Sequence, residues 1–577
     1  MLREAKQALQ RATELDDRNP IPWIALVQFL HGTGEKQQAQ EAIVRAGSKI
    51  PKDLAPLALA QCYEGTGKLA QAKQKYEEAL KASPASPHVA RSVAGFYLRT
   101  KQSEPAKKLL NSMIAGKTAS SPADAIWARR CLALLLASEG DYRSFQKAVG
   151  MIRENLKADA SSAQDRRVLA GLLAQSPDRR EHQKAIGLLE DLLKTQRTPE
   201  PQDQFILARL YQDENAWPKA SNLMLQLLSL HGDQPRYVRA YVAALLKRDD
   251  FEGTELWLSR LERIAPNAQH TAELRAELSF RQKRYDKAIE TLQAFVENRQ
   301  AQPPQRAARI RAAASQLEQF ADRLVDSGRT YPANRLYAEA ESLLRLLAVE
   351  HPEQGLHLAV FLGQNDQIEE SLKIVEDTWR QSDPATLAQA CAVLLKARST
   401  SRLQRQRAEK IVQDAMDEFG RPRALLLSMA DVRTLQGQNR QAEALYRELI
   451  EKYDRHAVAM NNLAILLALQ GVKLDEALAL VNRAMEIAGP MASMLDSRAT
   501  VYTALGQYDK AIADLDLAIA DAETPIRLFH RAQACERAGR SQEAIQAIKR
   551  AEALGLKPEM LQPLERPAYE KLKGLLK

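Results

Sequence analysis

Gly65-Thr66-Gly67-Lys68 is the nearest approach in this sequence to a phosphate-binding loop, and it falls short of one. A loop that cradles nucleotide phosphates needs a glycine five positions before Gly67 and a Ser or Thr after Lys68, where this chain has Cys62 and Leu69. The nine histidines are scattered singly, with no HExxH pair, and there is no GxSxG elbow or dinucleotide fingerprint. Cys62, Cys131, Cys391 and Cys535 lie far apart without a CxxC pair, so they suit small buried positions better than a zinc site or a disulfide framework. The residues therefore name no catalytic group, no metal ligand and no cofactor, and the chain is expected not to be an enzyme.

One stretch concentrates charge. Between Lys396 and Lys410 there are six basic residues and one acidic residue, Glu409, although the whole chain of 577 residues carries a net charge of only +9. Arg398, Arg402, Arg405 and Arg407 form a candidate patch for an anionic partner, an acidic protein before a nucleic acid, since no aromatic side chains are interleaved to stack on bases. The plainer alternative is a solvated loop and helix start. No apolar run approaches the roughly 18–20 residues of a membrane span, and the N-terminus lacks a basic segment followed by an apolar one, so this chain is not expected to insert itself into a membrane. Cytoplasm and periplasm both remain open, as does the oligomeric state.

The elements that must position any functional side chain are helices. Ala, Leu, Glu, Gln, Lys and Arg are abundant, glycine and aromatic residues are few, and runs of alternating β-branched residues are almost absent. In Ala492–Pro525 two helix-length segments flank Gly506-Gln507, with Ala499, Ala511 and Ala518 on facing sides and Tyr502, Leu505, Tyr508, Ile512, Leu515 and Ile519 filling the space around them. Such a hairpin leaves apolar residues on both flanks and needs a neighbour on each side. The anchor Ala511 recurs as Ala477 and Ala442 before it and Ala544 after it. The same interval of 33 to 35 residues separates Ala5, Ala39, Ala72 and Ala106, and again Ala185, Ala220, Thr254 and Ala288. Twelve residues before an anchor stands a small or β-branched residue (Val27, Ala60, Ala94, Ala208, Ala276, Ala430, Ala499, Ala532), and five before it a turn residue, commonly glycine (Gly34, Gly67, Gly437, Gly506, Gly539). The interval stretches between Ala106 and Ala185, where Phe145 takes the anchor position, and between Ala288 and Ala442, where Ala333, Ser371 and Ala408 do.

This spacing of small residues, tyrosine, glycine and closing proline resembles the tetratricopeptide repeat, most fully in Leu54–Pro84, LAPLALAQCYEGTGKLAQAKQKYEEALKASP. The resemblance implies an all-α, right-handed superhelical solenoid of about 15–17 helical hairpins. Residues 1–17 would be a second helix alone, as if the chain were part of a longer protein. Residues 18–300 would be an array with stretched units near 107–200, 301–420 irregular lengthened repeats, 421–558 a regular array, and 559–577 a capping helix with Tyr569, Leu572 and Leu576 on one side.

In this family the first helix of each hairpin lines a concave groove that binds peptides or proteins. The resemblance places Asp431, Asn461, Asn462, Asp496, Thr500, Phe529, Gln533 and Arg537 on that face, with the amide of Asn462 as a holder of a peptide backbone. It does not reproduce the family's carboxylate clamp, because Leu427 and Asp431 precede Asn462 and Ser493 and Ser497 follow it. The implied function is a non-enzymatic scaffold for protein or peptide partners. The alternatives are an envelope or polysaccharide-export assembly scaffold and a regulatory arm of a larger protein whose catalytic domain lies outside this chain.

Overall fold

Prolines open many of the helices. Pro20, Pro87, Pro122, Pro201, Pro235, Pro384 and Pro525 each sit in the first turn, where the missing N–H costs nothing. Asn19, Ser86, Ser121, Asp383 and Thr524, just before five of these, cap the helix with a side-chain oxygen. The computed structural model describes residues 2–117, 121–196, 199–298 and 303–576, and among these every regular element is a helix. The chain divides into two compact units, Met1–Leu173 and Ala174–Lys577. In the first, four packed hairpins lie between the helices Leu2–Leu15 and Ala163–Leu173; in the second, ten follow Arg180–Thr195 and precede Arg566–Gly574. Both units are α-solenoids.

The repeat register is visible in the packing. All eight of the small residues in the first helices, Val27 to Ala532, are fully buried, and so are the second-helix anchors from Ala39 to Ala106 and from Ala185 to Ala544. Two small side chains per hairpin let the backbones approach, and a larger side chain at either position would overpack the contact. Ala5 departs from the series and is exposed. Phe145 departs as well: it is only half-buried, and the helix Tyr142–Ala158 buries Ala148 one turn later instead.

Five residues before most anchors the backbone turns left-handed. Gly34, Gly67, Gly437, Gly506 and Gly539 do so, and Lys101, Asn215, Asp249, Lys283 and Asp366 do so at the corresponding places without glycine. The next residue's N–H then bonds to the carbonyl five residues back, as from Glu35 to Leu30, Lys68 to Tyr63, Gln102 to Tyr97, Ala216 to Tyr211 and Gln507 to Tyr502, at 2.8 to 2.9 Å. This satisfies a carbonyl that the end of the first helix would otherwise leave open, and it fixes the hairpin turn.

The lengthened part of the second unit contains Pro303–Asp326 and, paired with it, the equally extended Thr330–Glu350. Phe280 stacks on Phe320 there with ring centroids 4.2 Å apart, so the longer helices still join the neighbouring core. Residues distant in sequence also meet within this unit: Arg179 Nη1 donates to the main-chain oxygen of Asp521 at 3.3 Å. Among the described residues no helix is long and apolar enough to cross a membrane.

Candidate functional site

Successive first helices are tied to one another by polar pairs about one repeat apart. In the first unit Arg99 grips Glu64 at 2.7 and 3.0 Å, Arg91 pairs with Asp124 at 2.6 Å, and Arg130 grips Asp165 at 2.8 and 2.9 Å. In the second, Asn462 donates to Asp431 at 3.1 Å and His530 pairs with Asp496 at 2.5 Å. Side chains spent in this way hold the face together and are not free to meet a partner.

That distinction divides the eight residues expected to line the C-terminal groove. Phe529 is a correction: it is fully buried, with its ring 6.3 Å from that of Tyr569 in the terminal helix Arg566–Gly574, so no partner can reach it. The side it turns away from its own hairpin is the side that helix covers. Asn461 is also buried, and its Oδ1 has no hydrogen-bond partner. Asn462 is engaged at both ends of its amide, donating to Asp431 and accepting from Asn461 at 3.3 Å. Asp431 also accepts from Tyr446 at 2.6 Å, and Asp496 is taken by His530. Gln533 and Arg537 remain; Thr500 is as buried as Asn461 and donates its hydroxyl to the Asp496 carbonyl at 3.1 Å, and the structure brings the three together. They line one cavity of about 320 Å³ between the helices Ala457–Gln470, Ala492–Ala504 and Pro525–Arg537 and the terminal helix.

The more open part of the first-helix face lies elsewhere, and the sequence reading did not find it. A cavity of about 500 Å³ runs across Pro201–Asp213, Pro235–Lys247, Gln269–Arg281 and Pro303–Asp326. Phe205 and Leu274 give it apolar surface, and exposed Arg209, Arg236 and Arg239 line it. Among the described residues none of the three arginines has a carboxylate within 4.0 Å; Arg236 instead lies over the Phe205 ring, 4.7 Å from its centroid. Glu277 at the edge is already held by Arg281 at 2.6 Å and Arg323 at 2.9 Å. Burial, with neighbouring Arg239, holds His270 below the ordinary imidazole range, so at neutral pH it offers an uncharged donor or acceptor. A sequence signal did exist for two of them: one repeat beyond Arg209 stand Ala243 and Ala244, and one repeat beyond Arg236 stand His270 and Thr271, whereas one repeat beyond Arg239 stands Glu273, which lines the same cavity and accepts from Gln269 at 2.7 Å.

The basic stretch is split. Arg407 is committed to Glu376 at 2.7 and 2.8 Å and to Glu369 at 2.7 Å, which removes it from the anionic-partner patch. Arg398, Arg402 and Arg405 line a separate cavity at the hairpin turn. Gly65 ends the helix Ala55–Gly65, and the left-handed Gly67 belongs to the turn after it. Burial raises the cysteine thiols: those of Cys62 and Cys391 are pushed up to about 12, that of Cys131 up to about 11, and that of Cys535 also upward.

Comparison with known proteins agrees with the repeat register. Two family models described as tetratricopeptide repeat match the chain, one at residues 428–492 and 497–558, the other at 57–86. No curated protein matches. Solved structures similar to the chain include Naa15/Naa10 bound to HypK-THB, at 13% identity and a TM-score of 0.31 over 99% of this chain and 97% of that one. The Cut9-Hcn1 hetero-tetramer of APC/C is similar at 14% identity and 0.36 over 99% and 98%, and yeast Tom70 at 13% identity and 0.34 over 91% and 95%.

Proposed function

We propose, from the premise that this chain is built of tetratricopeptide repeats, that it is a non-enzymatic scaffold which binds protein or peptide partners on the face made by its first helices. The cavity across Pro201–Asp213 to Pro303–Asp326 carries the reading. Apolar floor and unpaired guanidinium groups side by side suit a helical or extended segment that brings both apolar and acidic side chains. Gln533 and Arg537 supply a second contact in the same unit, and Asp431, Asn461, Asn462, Asp496 and Thr500 support the first-helix face around it. No cofactor enters this function.

Charge reversal tests it. In affinity capture followed by quantitative mass spectrometry, Arg209→Glu/Arg236→Glu/Arg239→Glu is expected to lower recovery of the bound partner at least tenfold. The exposure of these side chains predicts an unchanged thermal melt. Arg537→Glu should lower recovery by a smaller factor. Equal recovery by the triple variant and the unaltered chain would refute the assignment.

A further inference from the structure

The turn between the helices Pro384–Lys396 and Arg402–Glu418 is longer than those of the regular hairpins, and it is pinned. Thr400 is buried and donates to the Leu394 carbonyl at 2.6 Å, and Ser399 donates to Asp366 at 2.7 Å. Ser401 and Gln404 cap the following helix reciprocally, so the helix start has already satisfied its own donors. Between this turn and the end of Arg423–Leu435 lies a cavity of about 620 Å³.

Four cations line the cavity: Lys396, Arg398, Arg402 and Arg405. Among the described residues none has a carboxylate within 4.0 Å, and the one acid on the wall, Glu409, is neutralised by Arg433 at 2.6 Å. Arg405 is half-buried; one Nη reaches the Ala397 carbonyl only at 3.5 Å, and its Nε is buried with no hydrogen-bond partner. An unsatisfied buried N–H and four like charges converging on one space are unfavourable until an anion enters. Guanidinium groups grip planar or tetrahedral oxyanions through paired N–H bonds, and a phosphoryl group brings about two charges where a carboxylate brings one.

We propose that this cavity is a binding site for a small ligand carrying one or more phosphoryl groups, separate from the first-helix face. The pinned turn presents Arg398 and Arg402 at the mouth, and Arg405 completes the site from within. The lengthened loop, which a regular hairpin lacks, makes the space.

Isothermal titration of the full chain with pyrophosphate at low ionic strength tests the site, with inorganic phosphate and sodium glutamate in parallel. Pyrophosphate should bind more tightly than phosphate, and glutamate should bind at least tenfold more weakly than pyrophosphate. Arg402→Gln/Arg405→Gln should weaken pyrophosphate at least tenfold, and Arg398→Gln, on the exposed turn, should weaken it several-fold with an unchanged melting temperature. Lys410→Gln, outside the cavity, should change it less than twofold. The site is overturned by the absence of pyrophosphate binding at millimolar concentration, by binding that both cavity variants leave intact, or by glutamate binding as tightly as pyrophosphate.

Discussion

Asp165→Ala is expected to destabilise the end of the first unit by about 3–5 kcal/mol, the cost of leaving a buried charge without its partner. Asp165 is 1% exposed and accepts two hydrogen bonds from Arg130, one from Asn155 at 3.1 Å and one from Ser162 at 2.8 Å. Asn155 is itself fully buried; it donates to the Ile126 carbonyl and accepts from Arg129, each at 3.0 Å. Removing the carboxylate strands the Arg130 guanidinium, whose side chain is 12% exposed, and the Asn155 amide inside the stretched repeat. Burial alone would raise the Asp165 pKa, but Arg130, Asn155 and Ser162 outweigh it and hold the carboxyl below its ordinary value of 3.8. The associated stability is therefore present above that value and is lost as pH falls through the lower folded-state pKa. Hydrogen exchange followed by mass spectrometry should show faster exchange across 122–173 in the variant and unchanged exchange across 428–558, because a repeat array opens locally.

His530→Ala should release the terminal helix at a cost of about 3 kcal/mol. The imidazole lies between two carboxylates, Nδ1 2.5 Å from Asp496 and Nε2 2.8 Å from Glu565, and Glu565 is 6% exposed at the start of that helix. Without His530, Glu565 keeps, among the described residues, only the main-chain N–H of Gln562 at 2.9 Å. Burial pushes the imidazole pKa down, but the two carboxylates outweigh it and raise it from 6.5 to about 10. A raised pKa means stability that is complete below 6.5 and is lost as pH climbs to about 10. Exchange at Tyr569 and Leu572, now buried on the last hairpin, should accelerate over that interval in the unaltered chain. In His530→Gln it should be fast already at pH 7, with no further loss across the interval.

The repeats were legible because backbone contact demands small residues at fixed places. Ala72, Ala106, Ala442 and Ala511 are where the spacing puts them, and each is fully buried. Turns were harder to read, since Lys101, Asn215 and Asp249 take the left-handed position that glycine marks elsewhere. Phe145 shows the limit of register alone: the second helix of the stretched repeat gained a turn, and burial moved to Ala148.

Side chains on the groove were read less well, for a physical reason. Whether a polar residue is free depends on what stands one repeat away, as Asn462 on Asp431 and Asp496 on His530 illustrate. Phe529 was misplaced because its cover comes from Tyr569, on a helix outside the repeat pattern. Arg209, Arg236 and Arg239 carry no motif, and they become a site only when several helices align them around one cavity.

Photo-crosslinking tests the central claim most directly. A benzophenone side chain would be placed at Arg236 or Gln533 on the first-helix face, and at Leu256 or Val349, exposed at 70% and 79% on second helices. Partner adducts at Arg236 and Gln533, with none at Leu256 and Val349, are the predicted result. Adducts confined to Leu256 and Val349 would contradict it.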